Sequence, residues 1–476
     1  MHDVYENPLC VRYASEEMKH VFSDDVKFKT WRRLWIALAE AERELGLPIT
    51  EQQIAELRAA ADDIDYDRAA AYESELRHDV MAHIRAYADK CPTAGGIIHL
   101  GATSCYVGDN TDIIVMREAL RIVRRKLINC IAAAADFAEK HKDTPTLAYT
   151  HFQPAQPTTA GKRATLWIND LISDLNRLDF ELSDLKLLGC KGTTGTAASF
   201  LELFGGDHEK VKKLDRLIAE KMGFEATVPV SGQTYSRKVD YNVISVLSGI
   251  AQSAAKFSND IRLLSHLKEF DEPFEPGQVG SSAMAYKRNP MRSERIASLA
   301  RYVITIAQSP AITAATQWFE RTLDDSANRR ITIPEAFLAT DAILSLYYNI
   351  ISNGTLYPNM MKRHLDEEMP FMATENILMY CVSKGGNRQV LHEAIRRHSV
   401  AAAKKIKLEG GYNDLLDRIL GDPVFGLTKP ELDAILMGGG FVGRAAGQTE
   451  EFLAEYVRPL LDANRDELGI KVDIRV

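Results

Sequence analysis

Cysteine is scarce and scattered. Cys10, Cys91, Cys105, Cys130, Cys190 and Cys381 are the six in 476 residues, with no CxxC pair and no regular spacing. That argues against a disulfide frame or a zinc site and leads to the expectation of reduced thiols in a cytoplasmic protein. No charge-free apolar run of about 18 residues occurs, so no membrane span is expected. The first residues, MHDVYENPLC, lack a charged stretch followed by an apolar one, so no signal peptide is expected. No repeat of roughly 20–50 residues is visible, and no long segment alternates in the way of a strand. An excess of basic residues is missing too. Lys and Arg total 58 against 66 Asp and Glu, a formal charge of −8. This balance argues against a general nucleic-acid or membrane-surface binder. An anionic ligand must therefore be held by a local cluster.

What is present is helical periodicity. Ile168, Leu171, Leu175, Leu178, Leu182 and Leu185 step by 3, 4, 3, 4, 3, and Val243, Leu247, Ile250, Ala254, Phe257, Ile261 and Leu264 continue the same rhythm. Such seams predict long helices packed side by side. A third long helix is expected from Thr111 to about His141, each helix being about 30 residues and roughly 45 Å long. Shorter helices are expected before residue 100, such as Lys27 to Leu45, and again after Pro358, with Gly438, Gly439 and Gly440 marking a loop. The fold class read from this is all-α, in three helical segments, 1–103, 104–356 and 357–476, with the long-helix bundle in the middle.

The stretch GSSAMAYKRNPMRSER, residues 280–295, gathers Lys287, Arg288, Arg292 and Arg295 beside hinge-like Gly280, Ser281 and Ser282. The bland alternative is a Gly-Ser linker with surface cations. In LAYTHFQPAQPTT, His151 stands before a proline-bounded turn. A histidine there suits acid–base work or plain loop packing. In SELRHDVMAHI, Arg77, His78 and Asp79 are adjacent, and His83 follows His78 by five residues. Two ligands on one helical face would sit four apart, so a metal site is not expected. In IIHLGATSCYVGDNTD, Gly101, Thr103 and Ser104 suit an anion at a helix start, or helix capping at Asn110 or Thr111. In FERTLDDSANRRI, Arg321, Ser326, Arg329 and Arg330 mix with Asp324 and Asp325, which also fits a solvated, self-paired helix face.

The order and wording of these stretches carry more than any one of them. RYASEEM, RHDVMAH, HLGATSCYVGDNTD, THFQPAQ, KGTTGT, SGQTYSRKVD, KRNPMRSER, QWFERTLDDSANRR and PFMATENI span residues 12 to about 377. Together they resemble the fumarase/aspartase superfamily, and within it the animal-type members of the purine-nucleotide branch. The resemblance implies β-elimination of fumarate from adenylosuccinate, giving AMP, and from the related succinyl-carboxamide ribotide. That chemistry removes a weakly acidic proton beside a carboxylate. It requires a placed base, cations or amides on the carboxylate and an acid for the leaving nitrogen.

By the same resemblance, Ser281 is the base on a closing loop, with Lys287 and backbone amides favouring its alkoxide. His151 is the acid, Glu294 orients it, and His78 supports the substrate. Arg12, Tyr13, Arg321, Ser326 and Arg330 are expected to grip the nucleotide and phosphate. Thr103, Ser104, Gln233, Lys287 and Asn289 would contact the succinyl carboxylates, and Arg77, Asp79 and Arg295 are further substrate contacts. No metal or organic cofactor is implied. The implied assembly is a homotetramer with a twenty-helix core and active sites shared by three subunits. The nearest rivals are a superfamily lyase acting on argininosuccinate, malate or aspartate, and a catalytically dead homologue. The intact Ser281, His151, Lys287 and Glu294 argue against the second.

One position departs from the family pattern. Ala285 stands where proline usually follows the loop methionine. Proline lowers the entropy of the open loop, by about 0.4–1 kcal/mol at a compatible site. Ala285→Pro is expected to raise kcat/KM modestly or to stiffen the loop, read as slower proteolysis. Unchanged values of both would contradict this.

Overall fold

The computed structural model describes residues 3–437, 440–472 and 474. Its frame is a set of long helices. Labelling the elements used below in chain order, α1 is Asp24–Glu44, α2 Asp79–Lys90, α3 Ser104–Lys140, α4 Ala160–Asp184, α5 Lys238–His266, α6 Met291–Ile306, α7 Asp325–Asn353, α8 Pro358–Met372 and α9 Arg388–Glu409. Helices α3, α4, α5, α6 and α7 pack together over one large apolar cluster. Both predicted seams face it. Ile168, Leu171, Leu175 and Leu178 on α4, and Val243 to Leu264 on α5, are buried. A buried Leu or Ile contributes about 1.5–3 kcal/mol, so each seam is a substantial share of the bundle's cohesion.

Two further apolar clusters lie at either end. One joins Trp31, Leu34, Trp35, Tyr87 and Tyr106 with Phe200 and Ile218. The other joins Ile377, Leu391, Ala402, Leu415 and Phe425. Leu9, Met18, Leu453 and Val457, from near both ends of the chain, pack into the central bundle cluster.

Several expectations need correction. The third long helix starts at Ser104, seven residues before Thr111, and runs for 37 residues. Thr103 is its N-cap. Asn110 and Thr111 are buried within the helix, and Asn110 Nδ2 donates to the carbonyls of Tyr106 and Gly189. Helix α7, at 29 residues, was not foreseen. Its segment from Ile333 to Ile351 is buried on nearly all sides, so it has no apolar stripe for periodicity to reveal. After Pro358 the helices are not uniformly short, since α9 has 22 residues. Gly438 and Gly439 lie outside the described residues, and Gly440 opens a short 3-10 turn.

A strand pair is also present. β1, Pro145–Thr150, and β2, Gln153–Thr159, form an antiparallel hairpin in which Tyr149 faces Pro154 and Leu147 faces Pro157. Prolines in a run argue against a central strand. A two-stranded ribbon tolerates them because its outer edges need no ladder partner. All six cysteines are unpaired, five of them buried. Among the described residues, no helix is long and apolar enough to cross a membrane.

Glu42, on α1, is fully buried, and neither carboxyl oxygen has a hydrogen-bond partner among the described residues. Burial pushes its pKa from 4.5 up to about 8. Below pH 4.5 the group is neutral whether the chain is folded or not. Between 4.5 and about 8 only the unfolded chain ionises freely, so stability falls as pH rises through that window. Glu42→Gln is therefore expected to exceed the parent in stability by roughly 1–3 kcal/mol near neutral pH, with the gain vanishing towards pH 4.5. Urea unfolding across pH checks this, and a pH-independent difference would contradict it.

Candidate active site

The N-terminus of α3 is the natural anchor. Thr103 precedes it, and no side chain caps its first turn, which leaves amide N–H groups for an anion. Gln233 Nε2 lies 3.3 Å from Thr103 Oγ1. The Gln233 amide donates to the Glu320 carbonyl at 3.0 Å. Here the 230s and 320s loops touch backbone to backbone. A Cβ on Gly232 would lie 2.3 Å from that same carbonyl oxygen, so only glycine fits. Arg321 Nη1 is 2.8 Å from Cys105 Sγ, which faces Gln233 Oε1 at 3.6 Å. Burial pushes the Cys105 thiol up to about 12, keeping it neutral.

Behind this face is a buried ionic layer. Arg237 bridges Asp109 on α3, at 2.9 and 3.2 Å, and Asp325 at the start of α7, at 2.6 Å. Arg329 holds Asp240 on α5 at 2.6 Å and Asp112 on α3 at 2.9 Å. Tyr235 lies between the two guanidiniums, 4.6 and 5.4 Å from its ring, and its hydroxyl donates to Asp240 at 2.6 Å. The Tyr235 amide donates to Asp109 at 3.0 Å. Burial is the largest single influence on Arg237 and disfavours its charge, but the neighbouring groups together, Asp109 foremost, leave the pKa raised. The solvated-face reading of FERTLDDSANRRI is thus wrong for Asp325 and Arg329, which are buried.

A second group surrounds the start of α2. His78 is its N-cap, and Nδ1 accepts from the Met81 amide at 3.3 Å. Arg330, from α7, reaches Asp79 at 3.5 Å. Arg77 has a left-handed φ of 54°. His99, not singled out from sequence, belongs here. Its φ is 67°, and Nδ1 accepts from Trp35 Nε1 at 2.9 Å, which puts the neutral ring's proton on Nε2. Burial, reinforced by the nearby His78, holds it at about 4. The available signal was a histidine two residues before the Gly-Ala-Thr-Ser helix start. His83 is a core residue, stacked on Phe28 at 3.7 Å, and burial lowers it to about 4.

Arg12 and Tyr13 form a third group with Arg295, whose guanidinium lies 5.7 Å from the Tyr13 ring. Burial lowers the Arg295 pKa, and the Arg12 charge adds to this. Two residues on, Ser15 is moored to buried Asp341 through its amide at 2.7 Å and its hydroxyl at 3.1 Å. Asp341 also pairs with Lys126.

The loop 280–290 and the hairpin tip stand apart. Ser281 Oγ accepts from the amides of Ala283, at 3.3 Å, and Met284, at 3.1 Å. Asn289 Nδ2 donates to the Gly280 carbonyl at 2.8 Å, pinching the loop's base. Lys287 is exposed, and Lys287 N donates to Met284 O, so Ala285 is the second residue of a turn. Proline favours that position. Arg292 is not a loop cation. It is buried on Asn349 and Glu275 at 2.6 and 3.0 Å. His151 and Phe152 are the two turn residues of the hairpin, with φ of 53° and 57°. Such turns favour Asn-Gly, and a non-glycine pair stores strain of about 1–3 kcal/mol per residue. His151 and Glu294 are both exposed and share no hydrogen bond within the chain, so the expected pair is not formed inside one copy. Ser326 lies near Arg321 at the start of α7, and Ser104 follows Thr103. Among the described residues, no group of three or more His, Cys, Asp or Glu could hold a metal ion.

The family described as Lyase matches residues 12–305, and the one described as Adenylosuccinate lyase C-terminus matches 370–452. Adenylosuccinate lyase of Saccharomyces cerevisiae is 51% identical, over 97% of this chain and 96% of the relative. That of Schistosoma mansoni is 48% identical over 99% of both. The 3-carboxy-cis,cis-muconate lactonizing enzyme of Pseudomonas putida shares the fold, with a TM-score of 0.83 at 24% identity, covering 95% of this chain and 99% of that one. A fumarate lyase from Mesorhizobium sp. BNC1 does so with a TM-score of 0.80 at 21% identity, covering 95% and 100%.

Removing Arg237 leaves Asp109 and Asp325 buried and short of a partner. Arg237→Ala is expected to cost about 3–5 kcal/mol of stability, read by thermal or urea unfolding. A loss below about 1 kcal/mol would show that the layer is not structural.

Proposed function

The chain belongs to the adenylosuccinate lyase family and is a carbon–nitrogen lyase of that class, and from this premise we propose how its residues divide the work. The substrate is adenylosuccinate, split to AMP and fumarate, with the succinyl-carboxamide ribotide as a second substrate. Ser281 takes the proton beside the succinyl carboxylate. The C–N bond then breaks, its electrons pass to the nitrogen, and His151 supplies the proton that the departing amine requires. The observation that carries this reading is the pair of amides on Ser281 Oγ. Donors aimed at a hydroxyl oxygen stabilise its anionic form, and a closing loop would strengthen them by excluding water. Lys287 adds positive charge from the same loop.

Arg12, Tyr13, Arg321, Ser326 and Arg330 form the nucleotide and phosphate grip in this reading. Thr103, Ser104, Gln233, Lys287 and Asn289 take the succinyl carboxylates, with Arg77, His78, Asp79 and Arg295 completing the contacts. Asp79 and Arg330 already meet, and Arg321 is linked through Cys105 to Gln233 and Thr103, which supports a shared cleft. Ser281, His151 and Glu294 are spread over exposed elements. We therefore assign the complete site to a homotetramer in which three copies contribute, with Glu294 of one copy orienting His151 of another. The domains are 1–103, 104–356 and 357–476; of the three apolar clusters only the one around Ile377 and Leu391 stays within a single segment, while Phe200 and Ile218 join the first cluster and Leu9, Met18, Leu453 and Val457 the central one. A cytoplasmic location fits the unpaired cysteines.

Fumarate release, measured with adenylosuccinate and argininosuccinate side by side, tests the substrate. Release from adenylosuccinate alone is expected. Ser281→Ala and His151→Ala should each lower kcat by roughly 10²–10⁴-fold while the variants stay folded and assembled. A loss under tenfold in either would remove that residue from its role.

A further inference from the structure

The buried layer is not balanced. It holds two buried guanidiniums, Arg237 and Arg329, against three buried carboxylates, Asp109, Asp240 and Asp325. Asp109 accepts a bidentate pair from Arg237, and Asp240 accepts from both Arg329 and Tyr235. Asp325 is the carboxylate left half-served. Its Oδ2 takes Arg237 Nε, while its Oδ1 is buried with no hydrogen bond. A buried carboxylate oxygen without a donor is costly.

The nearest cation beyond the layer is Arg321, whose Nη2 stands 3.9 Å from that oxygen. This is close enough for attraction but too far for a hydrogen bond. Among the described residues, the other partner of the Arg321 guanidinium is the Cys105 sulfur, a weak acceptor. Arg321 is thus drawn back towards the layer by charge, and among the described residues no strong acceptor is within hydrogen-bond distance of its donors. Those donors can turn to an incoming anion.

We propose that Asp325 is a positioning residue that holds Arg321 extended and ready for the substrate's anionic group. The proposal rests on the assignment of Arg321 to the substrate grip. One carboxylate does two things. Oδ2 locks the start of α7 to Arg237, and so to α3. Oδ1 pulls on Arg321, four residues earlier in the chain, without satisfying its donors. Asp109 shares Arg237 but pairs with Arg237 and the Tyr235 amide rather than with Arg321, so it serves as the control.

The test is a double-mutant cycle on the assembled enzyme with adenylosuccinate. Asp325→Asn keeps the size of the side chain and an acceptor for Arg237 but removes the charge. It is expected to raise KM roughly tenfold with kcat changed less than about threefold, a coupling typical of contacting charges. In an Arg321→Ala background the same substitution should leave KM within about twofold, because its target is gone. Asp109→Asn should lower the unfolding temperature and shift KM equally in both backgrounds. Additive effects of Asp325→Asn and Arg321→Ala would overturn the positioning role alone. An Arg321→Ala variant with unchanged KM would overturn the assignment of Arg321 to the grip, and the positioning role with it.

Discussion

The pairing of charge inside a medium that cannot solvate it is the constraint on which this fold's chemistry rests. Arg237 and Arg329 stand where α3, α5 and α7 meet, and every carboxylate they touch lies on one of those three helices. Neither guanidinium can leave without exposing an uncompensated partner, and such losses cost several kcal/mol. The layer therefore fixes three long helices in register more specifically than apolar contact does. It also carries Tyr235, which holds the loop bearing Gln233. The surface groups at the α3 N-terminus inherit their placement from this hidden layer.

The half of the proposed site that carries Ser281 and His151 is built on a different principle. His151 sits on a two-residue turn whose left-handed angles suit neither histidine nor phenylalanine. Ser281 sits on a loop pinched at its base by Asn289. One projects from the hairpin and the other from the loop before α6; Ser281 keeps two amides of its own loop on its hydroxyl, while His151 and Glu294 do not meet among the described residues of one chain. In the proposed reading, binding groups near the α3 N-terminus and reacting groups on projecting tips are brought together by neighbouring copies of the chain.

Much of this was legible in the sequence, for physical reasons that differ by element. The α4 and α5 seams were readable because each helix buries one face and exposes another. Helix α7 was not, because burial on all sides erases the stripe. The hairpin was hidden by Pro154 and Pro157, which are acceptable only at the edges of an isolated ribbon. The start of α3 was placed too late because Asn110 and Thr111 look like caps, while in the fold Asn110 spends its side chain on Tyr106 and Gly189. The wording of the site stretches pointed to Gln233 and Arg321. The partners that mount them, Asp109, Tyr235, Arg237 and Asp325, lie up to about two hundred residues apart and read as ordinary surface charge until the helices are packed. His99 was missed because its role depends on Trp35, a neighbour only in the folded chain.

The central claim is that the reacting groups come from different copies of the chain. Subunit exchange between Ser281→Ala and His151→Ala tests it most directly. Each variant alone should be nearly inactive. Mixed under conditions that let tetramers exchange chains, they should recover fumarate release far above either parent, because some sites then draw an intact Ser281 and an intact His151 from different copies. A mixture that stays inactive, with exchange of chains demonstrated independently, would contradict the shared site and return both residues to a single chain.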